Sequence, residues 1–570
     1  MRRLAVAFGA CALLYGQIGI FPLRDIVPDQ QAVAKTVFRG RQVEEFPLQI
    51  LGVLKASGPD QNMILGKLLT PRLEQTGVMQ GMSGSPVYIN GKLAGAIAFA
   101  FPFAKEPIAG IRPIEEMLAI RASAPQKAQI VGHLNLASTE LIGPALAATG
   151  PLEVLNPISF TGITTATVQH FAESWRRLGF ALQQGASGAQ PNQPSGSIEP
   201  GDMISVQLLR GDMTAGADGT VTHKAGNRIY AFGHRFLSAG DVDFPFAKAE
   251  VLTPLPNYNS PFKISQSLGL AGAIQLDADA GIVGELGRKA VLCPLRVNIA
   301  GARAYQNEVV RHNVLSPFLV QMAVFSALDH HLRSVGSATV DLLATVKYGR
   351  NLPDLEIRGR YAGDANLPIG ASLGAAIPLA YVAQQAEAGL LPESIDVRLT
   401  PKLEREQWTV ESLRLSKRTA KPGERVQLAL QLSFAGRMQV LTQDFSVPAW
   451  LPGGETLTVS VQDSITANLL DFRSFYQPGG PVFANPRELI ETLNRLHPAG
   501  NLYLRVLRSA PTYQSGVSEI GNLPHSVATL LARQPGQYGP GLQSKLLDRE
   551  FVLPSGVASG SKTATLEIEK

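Results

Sequence analysis

The stretch from Gly81 to Pro86, Gly-Met-Ser-Gly-Ser-Pro, places two serines among glycines just before a strand-like segment. A serine hydroxyl is a weak nucleophile that needs a base within hydrogen-bond reach, and its tetrahedral intermediate needs backbone N–H donors. Glycine before Ser83 lets the chain turn amides inward, and glycine after it leaves room for a substrate backbone. The pattern therefore predicts Ser83 as a nucleophile, with the amides of Gly81 and Ser83 as the oxyanion hole.

One other interpretation of this stretch stays open, and a second does not fit the sequence. Ser83 is alternatively a tight-turn residue, and Ser85 fits a supporting role in the turn better than an attacking one. The nucleophile elbow of α/β-hydrolases, Gly-x-Ser-x-Gly between strand and helix, does not fit. Ser85 occupies its second glycine position, and the hairpin signal Asn90-Gly91 follows instead of a helix.

The composition predicts a folded, mainly β chain of several domains. The 570 residues include 55 Gly and 39 Pro, with 45% hydrophobic and 17% charged residues, and short alternating apolar runs lie between the turn residues. The net charge of +5, without a basic stripe carrying aromatics, argues against a nucleic-acid partner. No cofactor and no metal site are predicted, since the adjacent side chains of His330 and His331 diverge on a helix.

The N-terminus predicts an extracytoplasmic location. Arg2 and Arg3 precede an apolar run from Leu4 to Phe21, which is typical of a signal peptide or a membrane anchor. Cys293 is the one cysteine beyond that run, so no internal disulfide is expected and a buried thiol is predicted.

Changes in composition and in the spacing of apolar residues divide the chain into six segments. After Pro422-Gly423, a period-two strand suggests an immunoglobulin-like sandwich, which the helix beginning at Asn485 interrupts. The predicted division is 1–33, signal peptide or anchor; 34–125, serine-bearing β half; 126–199, helical segment and flexible connector; 200–348, histidine-bearing β half and following helix; 349–404, connecting α/β region; 405–570, β-sandwich.

Two stretches of the chain resemble segments of a known peptidase family. "LTPRLEQTGVMQGMSGSPVYINGKLAGAI" resembles the catalytic-serine region of the SpoIVB-type sporulation serine peptidases, and "RIYAFGHRFLSAGD" resembles their histidine segment. The resemblance implies a trypsin-like double β-barrel acting on a protein or peptide substrate. It also implies Ser83 as the nucleophile and His234, in Gly233-His234, as the general base.

Two departures from the family pattern bear on activity. The histidine half precedes the serine half in the family, whereas Ser83 comes first here; a circular permutation would reconcile the two orders. The family's proposed third triad residue, an acid, corresponds to Thr70. The site is therefore a dyad, is broken, or uses another acid, for which Asp241 and Asp243 are the candidates.

Three functions remain open at this level. The first is an extracytoplasmic serine endopeptidase. The second is a catalytically weak or inactive homologue that serves as a protein-binding module of the cell envelope, and the third is a structural envelope protein acting through its sandwich.

Overall fold

The structure is a computed structural model, and it is mainly β. It describes residues 19–121 and 156–570, apart from 59–60, 102–103, 185–186, 190–192, 258–260, 333–336, 350, 365–366, 386–389, 406, 476–484, 511, 516–517, 522–523, 533–538, 542, 552 and 554–555. Most of the predicted leader, and residues 122–155 of the predicted helical segment, lie outside the described residues.

The serine-bearing half folds into a closed six-stranded barrel, the first barrel. Its strands pair in the ring order β1-β2-β3-β6-β5-β4, with β4 returning to β1. Its elements are β1 (Gln31–Arg39), β2 (Gln42–Gly58), β3 (Gln61–Leu68), α1 (Pro71–Thr76), β4 (Pro86–Ile89), β5 (Lys92–Ala100), β6 (Ile108–Pro113) and α2 (Ile114–Leu118).

Local sequence explains how these strands form. In β1, Ala32 and Ala34 are buried while Val33 is exposed, as period-two alternation requires. The hairpin predicted at Asn90-Gly91 is confirmed: it joins β4 to β5, and both residues have positive φ, +50° and +75°.

The histidine-bearing half forms a second closed ring, the second barrel. Its pairings run β10-β11-β12-β15-β14-β13 and close from β13 back to β10. Its strands are β10 (Met203–Gly211), β11 (Thr214–Ala225), β12 (Arg228–Ala231), β13 (Gly240–Leu255), β14 (Phe262–Ala278) and β15 (Gly281–Leu286).

The two barrels share one strand order. Counted from its own first strand, each ring reads 1-2-3-6-5-4. They dock through apolar side chains, among them Val37, Met203 and Val251, and through a backbone bridge in which Gly40 and Val251 exchange two hydrogen bonds of 2.7 and 2.9 Å. The predicted mainly β class with a double-barrel peptidase domain is confirmed.

The second barrel is extended on both sides into a larger sheet. Beyond β10 the order is β17-β16-β20-β18-β19, and beyond β11 it is β7-β8, while β9 pairs with β14. The added elements are β7 (Asn156–Thr161), α3 (Thr165–His170), α4 (Ala172–Arg177), β8 (Phe180–Gln184), β9 (Ser187–Ala189), β16 (Leu292–Ile299), β17 (Tyr305–Val310), α5 (Leu315–His331), β18 (Ala338–Lys347), β19 (Leu355–Gly363), α6 (Leu367–Gln385) and β20 (Ser394–Lys402).

The apolar spacing of residues 165–183 predicts a single helix. The structure instead has two short helices, α3 and α4, which meet at Phe171. Strand β8 follows them after the turn at Gly179, which has φ +86°. Helix α6 is, among the described residues, the one helix with the length and apolar character to cross a membrane, but about half of it is buried in the protein. It fits the core of a folded domain equally well.

The C-terminal region is a two-sheet β-sandwich. One sheet has the order β24-β23-β21-β31 and the other β22-β32-β25-β26-β30. Its elements are β21 (Gln407–Leu415), β22 (Thr419–Ala420), β23 (Arg425–Phe434), β24 (Arg437–Ser446), β25 (Thr456–Asp463), α7 (Ser464–Phe475), α8 (Pro486–Asn494), β26 (Leu502–Arg508), β27 (Thr512–Ser515), β28 (Ser518–Gly521), α9 (His525–Ala532), β29 (Gly539–Gly541), β30 (Ser544–Phe551), β31 (Val557–Ser559) and β32 (Ser561–Ile568).

The predicted strand face and helix start occur in this sandwich. Val426, Leu428, Leu430 and Leu432 of β23 are all fully buried. Asn485 caps α8, its side chain accepting a hydrogen bond from the Glu488 amide at 3.0 Å. Buried side chains of α8 join the hydrophobic core of the extended sheet instead of the sandwich core, so this helix ties the sandwich to the rest of the chain.

The end of the predicted leader is part of the folded body. The Phe21 amide donates to the Leu93 carbonyl and the Leu93 amide to the Gly19 carbonyl, both at 2.9 Å. Strand β1 already begins at Gln31, inside the 1–33 segment. Residues 19–33 therefore pack as part of the first barrel.

Candidate active site

The serine turn connects α1 to β4, and its glycines have the backbone conformation that the sequence predicts. Gly81 and Gly84 have φ of +90° and +92°, a region that favours glycine. Two tight turns form the loop: the Met82 amide donates to the Met79 carbonyl at 3.0 Å and the Ser85 amide to the Met82 carbonyl at 2.9 Å.

The role expected for Gly84 needs a correction. A Cβ placed on Gly84 would lie 2.0 Å from the Thr220 carbonyl oxygen and 2.5 Å from the Phe232 nitrogen. The space beside this glycine is thus filled by the backbone of the second barrel, and the room expected there for a substrate backbone does not exist.

Strand β11 of the second barrel holds the serine turn from across the interface. The Thr220 amide donates to the Ser83 carbonyl at 2.7 Å. The Thr220 hydroxyl donates to the Gly81 carbonyl at 2.9 Å and the Thr222 hydroxyl to the Gly84 carbonyl at 2.7 Å. The conformation of the turn therefore depends on docking of the barrels.

His234 follows β12 on a sharply bent segment. Phe232 and Gly233 have φ of +72° and +71°, and positive φ at a bulky aromatic residue is rare and strained. A Cβ on Gly233 would lie 3.1 and 3.2 Å from the Cβ atoms of Ala96 and Ala98 in β5. The histidine loop thus packs against the first barrel.

Two buried charged side chains secure this loop. Arg112 Nε donates to the Gly233 carbonyl at 3.2 Å, and its Nη1 pairs with Glu116 at 3.0 Å. On the other side of the loop, the Asp277 carboxylate accepts the amides of Phe236, Leu237 and Ala239 at 2.9, 2.7 and 3.1 Å. Burial raises the pKa of Asp277 to about 6, although these three hydrogen bonds act to lower it.

Ser83 and His234, 151 positions apart in the sequence, lie at the same junction of the barrels. The Ile97 carbonyl accepts the Gly84 amide at 2.7 Å and lies 3.6 Å from a Cβ placed on Gly233. The expected hydrogen bond between Ser83 Oγ and the His234 ring is not formed. Ser83 Oγ and His234 Nε2 are both buried, and neither has a hydrogen-bond partner among the described residues.

The hydrogen bond of His234 defines its tautomer. Nδ1 lies 2.8 Å from the Arg235 carbonyl oxygen, and because a carbonyl only accepts, Nδ1 carries the proton and Nε2 is the free acceptor. Burial, with the Arg112 and Arg235 charges, lowers the pKa of His234 to about 4, while the bond to the Arg235 carbonyl acts in the opposite direction. The ring is neutral at pH 7.

A titration tests this assignment. We expect the His234 imidazole to gain its proton near pH 4 and to stay neutral, with Nε2 able to accept a proton, at every pH above that value. The ring Cε1 signal, followed by NMR and assigned with His234→Gln, measures the midpoint. A midpoint near the ordinary value of 6.5 would contradict the assignment.

None of the three residues considered for the third triad position hydrogen-bonds to His234. Thr70 caps α1, its hydroxyl accepting from the Leu73 amide at 3.4 Å. Asp243 accepts the Val291 amide at 2.7 Å and approaches Arg288, and Asp241 is exposed in β13. The carbonyl of Arg235 thus takes the orienting role that a carboxylate has in a triad, without its negative charge.

The amides proposed for the oxyanion hole remain available. Among the described residues, neither the Gly81 nor the Ser83 amide donates a backbone–backbone hydrogen bond. Their carbonyls, in contrast, are both bonded to β11.

Sequence reasoning missed Lys263 and Asp218, which are buried beside the serine turn. Burial lowers the pKa of Lys263 to about 7, although the negative charges of Asp218 and Glu44 act to raise it. Burial likewise raises the pKa of Asp218, which accepts a short hydrogen bond from Ser265. A signal existed: Lys263, Ser265 and Ser267 alternate in β14 and are all buried, so one face of this strand is polar and enclosed.

The one group of possible metal ligands among the described residues belongs to the sandwich. Asp471, His497 and Asp548 of the sandwich approach closely enough to share an ion. Arg505 and Lys545, however, each form ion pairs with both carboxylates. Because these cations already balance the acidic charge, a metal ion is disfavoured. His331, at the end of α5, hydrogen-bonds to Tyr305 at 3.1 Å.

Comparison with known proteins agrees with the architecture. Residues 18–118 match the model of the family described as SpoIVB peptidase S55. This segment contains the whole first barrel with Ser83, and the match supports a SpoIVB-type serine peptidase at the level of the family. No curated protein and no solved structure matches the chain. The match ends before His234, so the role of the histidine depends on the geometry of the second barrel.

Proposed function

We propose that this protein is an extracytoplasmic serine endopeptidase that cleaves peptide bonds through an acyl-enzyme at Ser83, with His234 as general base. The observation that carries the proposal is the meeting of the glycine-serine turn and the histidine loop at the junction of two barrels of equal strand order. The family match of the first barrel and the neutral His234 ring support it.

The reaction begins with attack of Ser83 Oγ on the substrate carbonyl, as Oγ gives its proton to His234 Nε2. The Gly81 and Ser83 amides stabilise the resulting oxyanion. The protonated histidine then donates to the leaving amine, so that the peptide bond breaks and an acyl-enzyme remains. Water, deprotonated by the same histidine, releases the acid and restores Ser83.

The arrangement favours a slow enzyme. A histidine with a pKa of about 4 is a weak base at neutral pH, since general base catalysis is best when the pKa lies near the working pH. Among the described residues no carboxylate bonds to Nδ1 to balance the imidazolium, and nearby Arg112 disfavours it. Ser83 and His234 are only 2% and 3% exposed, so a substrate must first displace the groups that cover them.

The same observations favour a second candidate, a weakly active or inactive homologue that binds proteins in the cell envelope. The missing hydrogen bond between Ser83 and His234 and the carbonyl in place of an acid are its specific support. On this alternative, the double barrel presents a binding surface and the serine turn serves only to dock the two halves.

The extracytoplasmic location rests on the basic start and apolar run of residues 1–21. Either leader cleavage or anchoring of the N-terminus in a membrane is compatible with it. Cell fractionation tests the location, and a soluble cytoplasmic protein that retains residues 1–21 would contradict it.

A fluorophosphonate probe separates the enzyme from the binding module. We expect the probe to modify Ser83 covalently, as found by mass spectrometry of the labelled peptide, because phosphonylation needs the same nucleophile, base and oxyanion hole. Ser83→Ala is expected to abolish labelling, whereas the matched variant Ser85→Ala retains it. A parent protein that stays unlabelled at long exposure would leave the binding module as the function.

A further inference from the structure

Lys263 of the second barrel reaches across the interface to the serine turn of the first. Its side chain is 3% exposed, and Nζ donates to Thr36 Oγ1 at 2.7 Å and approaches the Gly81 carbonyl at 3.4 Å. Its methylene groups cover Gly81, where a Cβ would lie 3.4 Å from Lys263 Cδ. A buried amine is costly without acceptors, so these contacts determine where it lies.

The main chain of Lys263 holds the preceding peptide group. The Lys263 amide donates to the Gln80 carbonyl at 3.2 Å, and the Gln80 amide donates to the Pro261 carbonyl at 2.8 Å. The Gln80 carbonyl and the Gly81 N–H belong to one trans peptide group and point in opposite directions. With its carbonyl bound to β14, this peptide group directs the Gly81 N–H away from that strand.

Both peptide groups around the Gly81 Cα are therefore fixed by the second barrel. The one before it is bound by the Lys263 amide, and the one after it by Lys263 Nζ and the Thr220 hydroxyl. Without these bonds a glycine at φ +90° would rotate with little steric hindrance.

We propose that Lys263 is a positioning residue of the active site, whose amide and ammonium group together fix the orientation of the Gly81 oxyanion-hole donor. The catalytic consequence rests on the proposed function of Ser83. An oxyanion donor acts only within about 2.7–3.1 Å of the developing charge. The oxyanion hole is thus complete only when the two barrels are docked.

Nearby charges do not remove this role. Asp218 and Glu44 are the acids that act on Lys263, and Asp218 is bonded to Ser265. Both the charged and the neutral amine keep N–H donors, so the contact with the Gly81 carbonyl does not require the charge.

The first test compares two buried lysines of the second barrel. Lys248 is 9% exposed and binds Asp202 and the Ser197 carbonyl, at 2.7 and 2.9 Å. Lys263→Met keeps the main-chain bond to the Gln80 carbonyl and removes the Nζ contacts with Thr36 and the Gly81 carbonyl. We therefore expect it to lower the maximal rate of fluorophosphonate inactivation about 10-fold, less than the about 10²-fold of one lost oxyanion donor, with unchanged probe affinity. Lys248→Met keeps the parental rate, and Lys263→Arg restores part of it. Equal rates in the two methionine variants would overturn the proposal.

The second test does not depend on catalysis. The sequence has two Gln-Gly pairs, Gln80-Gly81 and Gln184-Gly185, so ¹³C-carbonyl glutamine with ¹⁵N-glycine makes the Gly81 amide one of two selected NMR signals. In Lys263→Met we expect the Gly81 signal to broaden or double as the peptide group samples two orientations, while it stays single and sharp in Lys248→Met. A single sharp Gly81 signal in Lys263→Met would refute the positioning role.

The two tests distinguish failure of this inference from failure of the proposed function. An unlabelled parent with a broadened Gly81 signal in Lys263→Met would retain the positioning role and reject the peptidase. If Lys263→Met does not fold, Thr220→Val removes the other donor to the same carbonyl with little change of shape. It is expected to change the rate and the signal in the same directions, and parental values in both measurements would refute the inference.

Discussion

His234→Ala is expected to slow fluorophosphonate modification of Ser83 by about 10²–10⁴-fold, the range that a general base contributes. The physical reason is that Nε2 of His234 is a buried acceptor without another partner, at the same junction as the Ser83 hydroxyl. Removing the ring leaves the serine proton without a base. The second-order rate constant of inactivation, measured near pH 7, gives the effect directly.

A second histidine of the same barrel provides the control. His223 lies in β11, half-buried beside Tyr230, and His223→Ala is expected to keep the parental rate. The same holds for Asp241→Asn and Asp243→Asn, because neither carboxylate bonds to His234 in this structure. A parental rate in His234→Ala would show that His234 is not the base.

Gly84→Ala is expected to destabilise the double barrel by more than about 4 kcal/mol, a size reserved for severe steric or burial defects. A Cβ at position 84 would lie 2.0 Å from the Thr220 carbonyl oxygen. The backbones of the serine turn and of the second barrel cannot move apart here without separating the two barrels. The apparent melting temperature and the urea midpoint of the purified variant measure the loss.

Gly91→Ala is the matched variant for this experiment. Gly91 also has positive φ, +75°, but no atom lies within 4 Å of a Cβ placed there. Its substitution carries only the cost of left-handed backbone, about 1–2 kcal/mol. Losses of stability of similar size in the two variants would mean that the backbone of β11 packs less closely against the serine turn than the structure indicates.

Several elements could be predicted because their signals are local. The Asn90-Gly91 hairpin follows from two residues that accept positive φ, and the start of α8 from the capping side chain of Asn485. The buried face of β23 follows from strict alternation. The apolar spacing of residues 165–183 predicts one helix because it continues past Phe171, where α3 and α4 meet, and past the turn at Gly179 before β8.

The sequence alone determined which residue types could perform chemistry here: the glycine-serine turn, the Gly-His pair, and Thr70 where the family has an acid. The tertiary structure decided how these residues meet. Closure of two rings brings Ser83 and His234 to one junction, and the fold gives Gly84 a backbone neighbour and the histidine a carbonyl partner. It also buries Lys263 against Gly81 of the serine turn. Apart from the bond of His234 to the adjacent Arg235 carbonyl, these contacts join positions more than a hundred residues apart, and no periodicity or local propensity encodes them.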